Sequence, residues 1–143
     1  MRRQLRVFAD GGARGNPGPA AIGFVVKDSS GKIIHQQGKY IGKTTNNVAE
    51  YQAVIETLKW IEKNFQLPIG RLQFFLDSKL IVNQLNGLFK VKEIKMRNLI
   101  IEVRQLEREI GGNVSYQFIS RQKNLLADGL VNQSLNKELT LNN

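Results

Sequence analysis

The sequence predicts an α/β fold, a mixed sheet with helices packed on it, and three features carry that prediction. The first 42 residues hold three short β-type segments joined by turns, the hydrophobic period lengthens at Asn47, and from Leu72 strand-like and helix-like segments alternate. Hairpins make antiparallel neighbours and helical crossovers make parallel ones, so a chain that uses both builds a mixed sheet.

The elements follow in order. "LRVFA" (5–9) reads as a strand, "AAIGFVVKD" (20–28) as a second and "KIIHQQGKYIG" (32–42) as a third, with "SSG" (29–31) turning the second into the third. "NNVAEYQAVIETLKWIEKNF" is rich in helix formers and places Asn47 three residues before Glu50, the spacing of a capping box with Asn47 as N-cap. "LQFFLD" (72–77) returns to strand, and "SKLIVNQLNG" (78–87) predicts a short helix stopped by Gly87. Leu99, Val103, Leu106 and Ile110 mark one stripe of a further helix, and Trp60 in the first helix reads as core. "NVSYQFIS" (113–120) is a fifth strand and "LLADGLVNQSLNKEL" (125–139) a terminal helix, after which the polar end "LTLNN" is expected to fray. With neither repeats nor low-complexity tracts, residues 1–143 are expected to form one domain.

Composition removes several classes of chemistry. There is no cysteine, which excludes a disulfide scaffold, a zinc ribbon and a thiol nucleophile, and the lone His35 cannot build a multi-histidine metal site. No signal-peptide pattern opens the chain and no apolar run is long enough to span a bilayer, so a soluble, cytoplasmic protein is expected. Lys and Arg total 21 against 12 Asp and Glu, a net charge of +9, which favours a polyanionic partner.

Four acids stand where the pattern calls for apolar residues or strand ends. Asp10 closes "LRVFA" and Asp77 closes "LQFFL"; Glu50 falls in line with Val54, Leu58 and Ile61; Asp128 falls within the stripe Leu125, Val131, Leu135 and Leu139. Each has an ordinary alternative: Asp10 and Asp77 as turn acids, Glu50 as a capping-box acid, Asp128 as an exposed acid early in its helix. As a group they are harder to dismiss, because inward carboxylates brought together repel one another and call for a cation. A lysine could serve, but hard oxygen donors without His or Cys best suit Mg²⁺ or Mn²⁺. In a basic chain, that set points to phosphoryl transfer on a nucleic acid.

The blocks "FADGGARGNPGPAAIGFVV", "TTNNVAEYQAVIETL", "FFLDSKLIVNQLNG" and "RQKNLLADGLVN", in this order, resemble the type 1 ribonuclease H family over nearly the whole chain. The resemblance implies a ribonuclease H-like fold, a five-stranded mixed sheet in the order 3-2-1-4-5 flanked by helices. It implies that Asp10, Glu50, Asp77 and Asp128 are the catalytic, metal-binding acids and that two Mg²⁺ ions, replaceable by Mn²⁺, work about 4 Å apart. Asp10 would bridge the ions, Glu50 and Asp77 hold the first, and Asp128 complete the second site.

The activity so implied is an endoribonuclease hydrolysing the RNA strand of RNA/DNA hybrids to 5′-phosphate and 3′-hydroxyl ends, with RNA duplex as a further candidate substrate and a monomer as the acting unit. Gly11 and Gly12 would let the nucleic-acid backbone approach without a Cβ in the way, in a turn where Pro17 fixes φ and Gly18 accepts a left-handed conformation. Asn16, Asn46 and Asn47 would contact the hybrid, Thr45 and Arg14 would hold a phosphate of the DNA strand, and Ser78 is a further contact; plain helix capping is the alternative for "TTNN".

Two features depart from the family pattern. The loop before the last acid, "ISRQKNLLAD", lacks the histidine many members carry, leaving Arg121 or Lys123 as substitutes and altered turnover as the expectation. After Gly87 the chain reads "LFKVKEIKMRN", similar to the branch without a basic protrusion; Lys90, Lys92, Lys95 and Arg97 could track a phosphate backbone or form a solvated face. The competing functions are a hybrid-binding module without catalysis and a polynucleotidyl transferase of the integrase kind. Intact acids disfavour the first, and "TTNN" in a compact chain disfavours the second.

Overall fold

In a computed structural model, which describes residues 2–141, five strands form one sheet in the order β3-β2-β1-β4-β5. The meander consists of β1 (Gln4–Ala13), β2 (Gly18–Lys27) and β3 (Ile33–Thr44), and all its pairings are antiparallel. β4 (Arg71–Leu76) and β5 (Asn113–Phe118) then add in parallel on the other side of β1. Four helices complete the described residues: α1 (Asn46–Asn64), α2 (Lys79–Leu85), α3 (Ile94–Ile110) and α4 (Leu125–Leu141), with a 3₁₀ turn at Arg121–Lys123 before the last. The α/β architecture and strand order match the expectation. Of the end expected to fray, Leu139–Leu141 complete α4, and residues 142–143 lie outside the described residues.

Strand alternation sorts the sheet into two faces. Leu5, Val7 and Ala9 of β1, with Leu72, Phe74 and Leu76 of β4, are buried in the main core against Val54, Leu58 and Ile61 of α1 and Leu99, Val103 and Ile110 of α3. The opposite face carries α4, whose Val131 and Leu135 pack on Ala21 with Tyr40 at the margin. His35 stacks on Trp60 with ring centroids 4.1 Å apart and Trp60 meets Phe65 edge-on, which makes the single histidine a packing residue.

Several local expectations are corrected by this packing. β1 does not end at Asp10 but runs on to Ala13, because Asp10 to Ala13 find partners Gly23 to Ala20 on β2. The N-cap of α1 is Thr45, whose Oγ1 accepts from the Val48 amide, so Asn47 already lies inside the helix. The left-handed residue of the β1–β2 turn is Gly15, with φ +94°, whereas a Cβ on Gly18 would stand 2.1 Å from the Arg14 carbonyl oxygen. In α4 the buried stripe is Ala127, Val131 and Leu135; Leu125 and Leu139 are exposed, and Asp128 borders the stripe instead of lying within it.

Candidate active site

Two close approaches of helix to strand build the site. A Cβ on Gly11 would lie 2.2 Å from the carbonyl oxygen of Ala49, so only glycine lets the first turn of α1 rest on β1. That contact carries Glu50 to the end of the sheet, where its Oε1 accepts from the Gly11 amide at 3.3 Å. On the other face, a Cβ on Gly23 would lie 2.5 Å from the Ala127 carbonyl oxygen. Gly23 is the β2 partner of Asp10, so the same approach that seats α4 sets Asp128 beside Asp10. β4 is the parallel neighbour of β1 and delivers Asp77 immediately after its last residue.

Asp10, Glu50 and Asp77 each offer a carboxylate oxygen within 4.8 Å of the others, a spacing that one cation can span. Asp128 lines the same open cleft, of about 470 Å³, without belonging to that trio. Asp10 and Glu50 are 4% and 6% exposed, and Glu50 Oε2 has no hydrogen-bond partner within the protein. Burial pushes the Asp10 carboxyl from an ordinary 3.8 to about 7; its hydrogen bond to Glu50 opposes that rise, and the charges of Asp77 and Asp128 add to it. Burial likewise raises Glu50 well above its usual range, with Asp10 and Asp77 contributing repulsion. Buried acids that repel one another, one with an orphaned oxygen, fit a hard divalent cation.

The remaining expected site residues divide into two groups. Gly11, Gly12, Arg14, Asn46, Asn47 and Ser78 line the cleft, whereas Asn16 and Thr45 do not. Asn16 instead accepts from the Asn46 amide at 3.0 Å, and Asn46 Oδ1 accepts from Ala13 at 2.8 Å, tying the β1–β2 turn to the start of α1. The Ser78 hydroxyl accepts from Ile81 and caps α2, as that of Thr45 caps α1. Gly11 is buried under α1, so its missing side chain serves the helix rather than an approaching backbone. Of the two histidine substitutes, Arg121 lines the cleft, and Lys123 lines a separate hollow beyond it. No helix lies between α2 and α3, and Lys90, Lys92, Lys95 and Arg97 are exposed.

Sequence reasoning missed Asn124 and Asn132. Asn124 is 1% exposed, and its Nδ2 donates to the Ala9 carbonyl at 2.8 Å and to Asp77 Oδ2 at 3.3 Å, locking the last loop onto β1 beside the acids. Its place just before α4 reads as an ordinary N-cap, so only the long-range contact reveals it. Asn132, one turn after Asp128, donates to Asp128 Oδ2 at 3.4 Å and accepts from Arg14 at 3.5 Å. That four-residue spacing was the available signal.

The chain is similar to known proteins over most of its length. The reverse transcriptase-like family matches residues 8–134. A bifunctional protein of Mycobacterium tuberculosis is 36% identical over 130 residues, covering 90% of this chain and 35% of its own. Ribonuclease HI of Halobacterium salinarum is 33% identical over 132 residues, covering 92% of this chain and 64% of its own. The chain thus spans about a third of the mycobacterial protein's length and just under two thirds of the halobacterial one's. Among solved structures, LC11-RNase H1 in complex with RNA/DNA hybrid superimposes with a TM-score of 0.90 at 40% identity, covering 95% of this chain and 99% of that one. The family-model match over residues 8–134, together with near-complete overlap at 40% identity with an RNase H1 structure, places the chain in the ribonuclease H type 1 family.

Proposed function

We propose that the protein is an endoribonuclease that hydrolyses the RNA strand of RNA/DNA hybrids, leaving 5′-phosphate and 3′-hydroxyl ends. The observation that carries this reading is the convergence of Asp10, Glu50 and Asp77, from β1, α1 and the end of β4, within 4.8 Å in a chain of net charge +9. The likeness to an RNase H1 crystallised on a hybrid supports the substrate.

Asp10 with Glu50 and Asp77 would hold one Mg²⁺ ion, and Asp10 with Asp128 a second, with Mn²⁺ as substitute. When bound, such a pair supplies activation of water and neutralisation of the leaving oxygen. The chain's own groups then have positioning tasks, and none need act as nucleophile. The Gly11 amide fixes one oxygen of Glu50, Asn124 fixes one of Asp77, and Asn132 fixes one of Asp128. Arg14 and Arg121 put positive charge on the cleft walls, where phosphates pass.

Thr45 and Ser78 each accept a backbone amide, which leaves the hydroxyl proton of each free to donate to a phosphate oxygen. The carboxamides of Asn46 and Asn47 face the same cleft and can both donate and accept, as recognition of a 2′-hydroxyl requires. Asn16 would act through Asn46, whose amide it holds. One sheet built from Gln4 to Phe118 with α4 packed on it supports residues 1–143 as one ribonuclease H domain, for which a monomer is proposed as the acting unit.

The test is a panel of end-labelled RNA/DNA hybrid, RNA duplex and DNA duplex, each with Mg²⁺, Mn²⁺ or chelator. The expected result is cleavage of the RNA strand of the hybrid, abolished by chelator, with 5′-phosphate products. Hybrid that is bound equally with and without chelator and never cut would replace this reading with a binding module.

A further inference from the structure

The two faces of the sheet are covered unequally. Helices α1, α2 and α3 contribute to the core on one face, while α4 alone occupies the other and lies over β2, β3 and part of β1. Beyond α4, among the described residues, the outward side chains of β1 and β4 form an open strip that starts directly below the acids. Phe8 stands two residues before Asp10 and Phe75 two before Asp77; they are partners in the β1–β4 register and their rings stack at 5.0 Å. One row further down, Arg6 lies between Lys27 of β2 and Gln73 of β4, and Arg71 follows at the start of β4.

This strip has a definite chemical character. Both phenylalanines are half-buried, and Lys27 Nζ sits 4.8 Å from the Phe8 ring centroid. A hollow of about 230 Å³ lies between Phe8 and the start of α4, lined by the exposed Lys123 and by Leu125 and Leu126, which are 61% and 54% exposed. No outward residue of β1, β4 or β5 below Asp10 and Asp77 is acidic. Aromatic rings on a sheet, ringed by cations and amides and free of carboxylates, suit stacked bases with a flanking phosphate backbone. Two residues along a strand span about 7 Å, close to the reach of one nucleotide, so a strand leaving the cleft meets Phe8 and Phe75 at its next base.

We propose that this open face binds single-stranded nucleic acid, namely the unpaired extension of a hybrid whose duplex part occupies the cleft. The proposal rests on the nuclease reading for the duplex part and adds a second, non-catalytic subsite. Charge complementarity and continuity with the cleft select this occupant over a protein partner.

Binding is measured by fluorescence anisotropy in chelator with a short blunt hybrid and with the same hybrid bearing a single-stranded thymidine tail at either end of its DNA strand. In the wild type one of the tails should tighten binding roughly tenfold, the gain expected from one or two stacked bases. Phe75→Ala should erase that gain. Arg6→Gln, at an exposed position that leaves packing intact, should lower the salt dependence of tailed binding by about 0.7 in log–log slope. Both variants should cut blunt hybrid at the wild-type rate. Equal affinity for tailed and blunt hybrid in the wild type, or a gain that survives both substitutions, overturns the proposal. So does a dimer that dissociates on Phe75→Ala, since a second copy would then be the occupant. Failure of the wild type to cut blunt hybrid in Mg²⁺ would count against the nuclease reading alone.

Discussion

At the residue scale the controlling feature is the raised carboxyl of Asp10. Between about pH 4 and pH 7 the folded protein holds a proton there that the unfolded chain releases, so without divalent ions the Asp10 contribution to stability falls as pH rises through that window, and the raised carboxyl of Glu50 adds a loss in the same direction. A divalent cation competes with that proton. Mg²⁺ is therefore expected to raise the melting temperature far more at about pH 8 than at about pH 5, read by calorimetry against chelator; an increment independent of pH would contradict the assignment. Asp10→Asn should stabilise the metal-free protein at about pH 8 by roughly 1–3 kcal/mol while lowering hybrid cleavage about a thousandfold or more. Asn124 acts one step out. Its removal takes a donor from the Ala9 carbonyl and from Asp77, so Asn124→Ala should cost about 1–3 kcal/mol and raise the Mg²⁺ concentration for half-maximal cleavage roughly 10- to 100-fold. An unchanged Mg²⁺ dependence would reduce Asn124 to a packing role.

At the element scale the site depends on how closely helices sit on strands. Gly11→Ala forces a Cβ against the Ala49 carbonyl and should push α1, and Glu50 with it, off β1, at a cost of about 2 kcal/mol or more and with loss of cleavage. Gly129 is the contrasting case. It lies inside α4 with open space where a Cβ would go, so Gly129→Ala should stabilise by about 0.5–1 kcal/mol and raise the melting temperature by a few degrees. A falling melting temperature would show that α4 is held differently.

These two positions also mark what the sequence could and could not disclose. The meander and the α3 stripe of Leu99, Val103, Leu106 and Ile110 were legible because burial imposes a period on the chain. The true extent of β1 and the α4 stripe were not, since each is decided by a partner far away in sequence, and the Thr45 cap was masked by the competing spacing of Asn47 to Glu50. Among the acids, Asp10, Glu50 and Asp77 were legible as a converging set. The contacts of Asn124 across to β1 and Asp77 leave no periodic trace.

At the scale of the whole molecule, a net charge of +9 coexists with a buried nest of carboxylates. Under the proposed function the two are compatible, because they would serve different parts of one polyanion: surface cations would attract its backbone, and the acid nest would admit the cations that act on a single phosphate. Hybrid binding in chelator should therefore weaken steeply with salt, with the logarithmic slope reporting how many phosphates are neutralised; a flat dependence would detach the basic surface from the function.

No described helix is long and apolar enough to cross a membrane. The central claim is that the acids of the nest are tolerated together because they hold divalent cations. The most direct measurement is an anomalous difference map from a wild-type crystal equilibrated with Mn²⁺ at a concentration that supports hybrid cleavage. The predicted result is a peak coordinated jointly by Asp10, Glu50 and Asp77; a map with no density among these three carboxylates would contradict the claim.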